Sequence, residues 1–185
     1  MSDLFPLTGE PLALDLINTQ PATGELLRTP EDLRTWWALQ ADRLPEGVPA
    51  NLKPADLAAV LTVREHVARV LERVRTGQAP AATDITGLND AQRAAPVTCE
   101  LSWRDGKLVA QRRRDGRPGV RLAAWLAEAA VELLADPTAQ KIRVCEADDC
   151  VLLFLPQHPR RRWCSAARCG NRARVARHYQ RHKAG

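Results

Sequence analysis

Four cysteines, spaced as two like pairs, limit what this chain can become more than any other feature. Four residues separate Cys145 from Cys150, thirteen more lead to Cys164, and a second four-residue interval ends at Cys169. Four thiolates at two short intervals can close a tetrahedron around one ion, and Zn²⁺ in a structural site takes such a set. Disulfides are rare in a reducing compartment, so four cysteines within 25 residues read as a metal site. One structural Zn²⁺ on Cys145, Cys150, Cys164 and Cys169 is therefore expected. It would supply stability that so small a module cannot draw from its own core. Between the pairs the sequence suits a turn over 146–149, a strand over 151–155 and a return loop through Pro156 and Pro159. His178 and His182, at i and i+4, offer a competing set with two of the cysteines. Only eight residues separate Cys169 from His178, against about twelve in the usual finger. That set would also leave Cys145 and Cys150 unused, so both histidines are expected at the surface.

Charge divides the chain at the same place. Residues 1–149 hold 18 Lys+Arg and 22 Asp+Glu, a net of −4; residues 150–185 hold 9 Lys+Arg and no acid, a net of +9. An acidic body with a basic tail is the footprint of a nucleic-acid-binding module attached to something else. A helix over 171–183 would align Arg174, Arg177 and Arg181 at i, i+3 and i+7. Val175, Ala176 and Tyr179 would then turn back onto the zinc module. Arg160, Arg161, Arg162, Arg168 and Arg172 complete the candidate nucleic-acid contacts, and arginine suits bidentate bonds to guanine edges and phosphates. Double-stranded DNA is the expected partner. Single-stranded RNA readers need exposed aromatic platforms, and of Phe154, Trp163 and Tyr179 at least two are expected in the core. The alternative is an RNA- or protein-binding adaptor using the same finger.

At 185 residues the chain has room for one ordinary domain and an appendage. The boundary falls near Pro137–Lys141, giving a body over 1–140 and a zinc module over 141–185. The expected class is α+β: a mostly helical N-terminal domain with a β-hairpin, then a small knuckle followed by a basic helix. Thr29-Pro30-Glu31-Asp32 starts one helix, with Thr29 as N-cap. Pro54 opens a second that Thr76-Gly77 ends, and a weaker helix fits 84–95. Leu122, Trp125, Leu126, Ala129 and Leu133 mark another, stopped at Asp136-Pro137. Residues 12–19 fit either a strand or a helical turn. Val97, Cys99, Leu101 and Trp103 alternate with polar residues before Asp105-Gly106, a strong hairpin turn. That turn pairs Trp103 with Leu108 and Leu101 with Ala110, and places Cys99 on an apolar face expected to pack in the core.

Catalytic groups are few. His66, the body's one histidine, is expected at the polar edge of its helix. Neither a nucleophile triad nor a phosphate loop is present, and four thiolates would close the metal to water, so no enzyme is expected. Asp15 and Asn18 inside an apolar stretch suggest capping. Alternatively they line a pocket with Arg34 and Trp37, near Trp36 and Trp125, that reads a small polar effector. No apolar run approaches the length of a membrane span, and the N-terminus lacks signal-peptide features. A cytoplasmic protein is expected, with a homodimer as a candidate assembly.

The same residues resemble a known family. "RRWCSAARCGNRARV" is similar to the zinc finger named for its Cys-Gly-Asn-Arg motif, here Cys169-Gly170-Asn171-Arg172. "LALDLINT", from Leu12 to Thr19, and "LLRTPEDLRTWW" after it resemble the ABATE domain that precedes this finger in bacterial proteins. The resemblance spans nearly the whole chain. It implies stress-induced transcription regulators that bind zinc through four cysteines, all of which are present here.

Overall fold

Prolines set where the long helices begin. Pro30, Pro54 and Pro118 each take the first helical position, where the missing N–H has no partner to lose and the fixed φ already suits the helix. The computed structural model describes residues 8–183; of the side chains beyond residue 176 it describes Tyr179 alone. The body's helices are α1 (Leu12–Ile17), α2 (Pro30–Leu39), α3 (Pro54–Arg75), α4 (Ala82–Ala94) and α5 (Pro118–Ala135). Thr29 closes a capping box on α2: Asp32 N–H donates to its hydroxyl at 3.2 Å and Thr29 N–H donates to Asp32 at 2.8 Å. The expected helix starts at Thr29 and Pro54 hold.

The undecided stretch at 12–19 is helical, and its burial explains the mixed periodicity. Ala13, Leu14, Asp15 and Leu16 are all buried because α1 packs against α3 and α5 at once. A helix buried on most of its circumference shows no single apolar stripe. Trp36 and Trp37 of α2 join Leu14, Leu16, Leu71, Leu122 and Leu126 in the same core. At their N-termini α3 and α5 touch backbone to backbone. Gly119 N–H donates to Asp56 Oδ1 at 3.1 Å, and a Cβ at residue 119 would lie 2.3 Å from Asp56 Cα. Among the body's buried charges, Arg64 holds Glu25 and the Thr19 hydroxyl, fixing the loop between α1 and α2.

The hairpin forms in the expected register. β1 (Val97–Arg104) pairs with β2 (Lys107–Arg114), setting Leu101 opposite Ala110 and Trp103 opposite Leu108. Asp105 and Gly106 both have positive φ, 49° and 75°, as this two-residue turn requires. Its apolar face, however, is not core. Cys99 is exposed, as are Leu101, Trp103 and Leu108. Only the foot of the ribbon rests on the body. There buried Arg114 lies 4.2 Å over the Trp125 ring, donates to the Ala95 carbonyl and pairs with Glu128 at 2.5 Å. Beyond that anchor the apolar side chains of the strands are left uncovered by the described residues, so alternation in the sequence does not translate into burial. His66 also differs from expectation. It is largely buried, its Nδ1 2.9 Å from Asp84 and its ring against Gly87.

The C-terminal elements are β3 (Arg143–Val144), β4 (Leu153–Phe154) and α6 (Asn171–Lys183), with β3 and β4 antiparallel. The body grips β4 through side chains. Asn18 Nδ2 donates to the Leu153 carbonyl at 2.9 Å, and Leu153 N–H donates back to Asn18 Oδ1 at 2.8 Å. The amide thus acts as one more rung of a β-ladder. Two residues on, Leu155 N–H donates to Glu10 Oε2 at 2.9 Å, and Glu10 Oε1 accepts from Arg161 at 2.6 Å. Leu153 and Leu155 pack on the body's core beside these bonds.

Two substitutions test this packing. Gly119→Ala forces a Cβ into the backbone of α3, so urea denaturation should show a loss of about 2–3 kcal/mol or more. Asn18→Ala leaves the half-buried Leu153 N–H and carbonyl without the amide that pairs them. It should cost about 1–3 kcal/mol by the same measurement.

Candidate metal centre

Each sulfur reaches the centre by a different local device. Cys145 follows β3, and its N–H donates to the Leu152 carbonyl at 2.9 Å, which continues the strand pairing by one rung. The chain then reverses through Asp149, whose φ of +59° is a conformation aspartate tolerates better than most residues, and delivers Cys150. Glu146 N–H donates to the Arg162 carbonyl at 3.0 Å, so the return loop runs beside the first turn and brings Cys164 in. Cys169 sits in a single wide turn, Ala166–Gly170, of i→i+5 type, with the Ser165 hydroxyl accepting from Arg168 N–H at its start. Such turns are rare and recur at functional sites.

The four sulfurs lie within 4.8 Å of one another. Cys150 and Cys164 are 3.9 Å apart, Cys164 and Cys169 3.5 Å, and Cys169 and Cys150 3.8 Å. Zinc–sulfur bonds of about 2.3 Å in a tetrahedron put sulfurs roughly 3.8 Å apart, whereas a disulfide is about 2.05 Å. The spacing is that of a Cys₄ zinc site. Electrostatics agree. Burial first, and then the adjacent thiols, push Cys150 up to about 11 and Cys164 higher still. Burial also raises Cys145, but N–H donors from Cys164 and Ala147 outweigh it and leave that thiol below its ordinary value. A divalent cation removes the mutual repulsion that keeps these groups protonated.

Second-sphere groups complete the site. Cys164 N–H donates to Cys145 Sγ at 3.3 Å, and the Arg172 guanidinium lies 3.9 Å from Cys169 Sγ while donating to the Asp148 carbonyl at 3.0 Å. The arginine of the Cys-Gly-Asn-Arg motif thus binds the knuckle to the metal shell. Gly170 has a packing reason: a Cβ there would meet Trp163 Cδ1 at 2.9 Å. Phe154, Leu152 and Ala147, with Trp163 beside them, form the module's small core.

The candidate arginines are placed unequally. Arg161 points inward, donating to Glu10 and to the carbonyls of Cys164, Leu155 and Trp163, with its guanidinium 4.5 Å over the Phe154 ring. Arg162 donates to Glu146 at 2.5 Å and lies over Trp163. Arg160, Arg168 and Arg174 are exposed. The side chains of Arg177 and Arg181, like those of His178 and His182, lie outside the described residues. Val175 and Tyr179 are 47% and 66% exposed, which corrects the expectation that they pack back on the module. Instead Arg172, Ala173 and Ala176 border a groove facing Asp148 and Trp163. The core is filled by Phe154 and its neighbours, and it includes none of the described residues of α6.

Asp15, Asn18, Arg34 and Trp37 do not converge on one cavity. Burial raises the Asp15 pKa, opposed by donors from Gly9 and Arg43; its oxygens also accept from Glu10 N–H and Gln40. Asn18 is spent on Leu153, Trp37 is buried in the core, and Arg34 is exposed and paired with Glu31. Sequence reasoning missed the roles of Glu10 and Arg161. The sequence signal was weak: with no acid after Asp149, the arginines of 160–162 need partners from earlier in the chain, and Glu146 and Glu10 are the ones that Arg162 and Arg161 find.

A helical body that grips a four-cysteine zinc finger through side chains defines the class of protein. The chain belongs to the ABATE family: residues 10–137 match ABATE, described as "putative stress-induced transcription regulator", and residues 141–182 match the CGNR zinc finger. No curated protein matches the chain.

Protein purified without added metal should contain about one equivalent of zinc by elemental analysis. Cys99→Ser should leave that content unchanged, because Cys99 is remote and exposed, whereas Cys150→Ser should lose it.

Proposed function

We propose that this is a cytoplasmic, non-enzymatic transcription regulator whose zinc module presents α6 to double-stranded DNA. The observation that carries the reading is how α6 leaves the module. Arg172 ties its beginning to the Asp148 carbonyl and to Cys169, while Arg174 and Val175 stand exposed in a segment with no acid after Asp149. A basic helix anchored at its first turn, with Arg174 exposed just beyond, suits the major groove. Phe154 is fully buried and Trp163 half-buried, so of the module's three aromatic rings Tyr179 alone is open, and one ring falls short of the stacking platform that single-stranded RNA recognition uses.

The arginines divide by role in this proposal. Arg174, Arg177 and Arg181 face the duplex, and Arg160 and Arg168 contact phosphate at the base of the helix. Arg161 and Arg172 hold the module together, and Arg162 is shared with Glu146. Gating by a small effector at Asp15, Asn18, Arg34 and Trp37 gains no support from their separate placements.

The best duplex from a random pool provides the test. Changing Arg174, Arg177 and Arg181 together to Ala should weaken its binding while zinc content and helicity stay as in the parent. For every arginine that bonds a phosphate, its removal should flatten the salt dependence by about one unit of slope. Arg161→Ala should instead lower thermal stability, because it strands Glu10 in a buried position. A triple variant that binds as tightly as the parent would refute the assignment and favour a protein partner.

A further inference from the structure

The hairpin carries a surface that the finger and its arginines do not use. Leu101, Trp103 and Leu108 are 67%, 70% and 63% exposed. The register joins them with Ala110 on one face of the ribbon. Eight-residue strands extend roughly 25 Å, so this apolar face runs from the foot to the tip of a projecting arm. A lone two-stranded hairpin is marginal in water, and contiguous exposed apolar patches mark interaction surfaces. Apart from Arg114, buried at the foot, Arg112 is the one cation on this face. It is not built to meet phosphates.

The complement to the tip lies at the foot. A trough beside α5 is lined by Leu44, Pro45 and Trp125, with Asp42, Glu128 and Glu132 among its borders. It continues past Ala129 to Asp136. Of the cations there, Arg43 is paired with Asp15 at 2.5 Å, while Arg112 lines the trough from the ribbon's own apolar face. Asp42 and Glu132 have no ion-pair partner among the described residues. The tip offers Trp103 and Leu108 on the apolar face, with Arg104 and Lys107 one pair further on at the turn and on the ribbon's other face. Residues 97–114 hold five Lys+Arg and two acids, a net of +3; the rest of residues 1–149 hold 13 and 20, a net of −7.

We infer that the ribbon is an exchanged arm of a two-fold homodimer. Each copy lays its Leu101–Trp103–Leu108 face on the same face of the other and sets its cationic tip in the acid-bordered trough at the other's foot. One chain carries both complementary halves, a ribbon's length apart. Antiparallel pairing about a two-fold axis brings each tip to the opposite foot, and the resulting interface is self-complementary. The inference is independent of the DNA reading.

Sedimentation of the full chain at micromolar concentration should give twice the 20.5 kDa chain mass. Trp103→Glu combined with Leu108→Glu should raise the dimer Kd by about 100-fold or more. Helicity and zinc content should not change, since both side chains are already solvent-exposed in the protomer. A tip-reversed variant (Arg104→Glu, Lys107→Glu) and a trough-reversed one (Asp42→Lys, Glu132→Lys) should each be largely monomeric. Mixed together, they should form a heterodimer, which no foreign partner for this face would produce. A parent chain that stays monomeric at these concentrations would overturn the inference. So would a double-glutamate variant that remains dimeric, or charge-reversed variants that fail to pair.

Discussion

The edge of β4 is where the two parts of this protein become one structure. Asn18 completes a β-ladder rung with Leu153, and Glu10 joins Leu155 to Arg161. Strands of two residues are too short to hold a module by themselves. Here the missing rungs come from side chains of the body, at a partly buried edge. The finger is thus fixed in orientation rather than tethered, and the direction in which α6 projects is set by the body.

The metal centre depends on that edge and also supports it. Leu152, whose carbonyl accepts from Cys145, and Leu153, which Asn18 holds, are neighbours in the same short segment. Zinc fixes one side of this segment and the body fixes the other. Three of the motif's four residues serve this closure: Cys169 supplies a sulfur, Arg172 braces the shell, and Gly170 lets Trp163 approach. Arginine in this tail is therefore not one population. Some cations are consumed in building the module, and only the remainder can meet a partner.

Charge follows the same division of labour. The body is acidic except for its ribbon, and the module is free of acids after Asp149. Two cationic features thus stand against an acidic body, the acid-free α6 and the ribbon with its apolar face. Their different chemistry separates the surface proposed for a polyanion from the surface proposed for a second copy of the chain.

Sequence alone determined the elements whose causes are local. Prolines at helix starts, the Thr29 capping box, the Asp105-Gly106 turn with its register and the four cysteines at paired intervals all act within a few residues, so their patterns survive in the linear chain. Tertiary structure decided what depends on neighbours distant in sequence. Cys99, Leu101 and Trp103 alternate like core residues, yet nothing in the chain's order says that the body ends beneath the ribbon's foot. Asp15 and Asn18 read as a polar pair facing one ligand, but packing divides them between Arg43 and Leu153. Arg161 looks like any other arginine in a basic run until folding brings Glu10, 151 positions away, to its side. Burial and long-range pairing are properties of the assembled chain, because they depend on which surfaces the other elements have already covered.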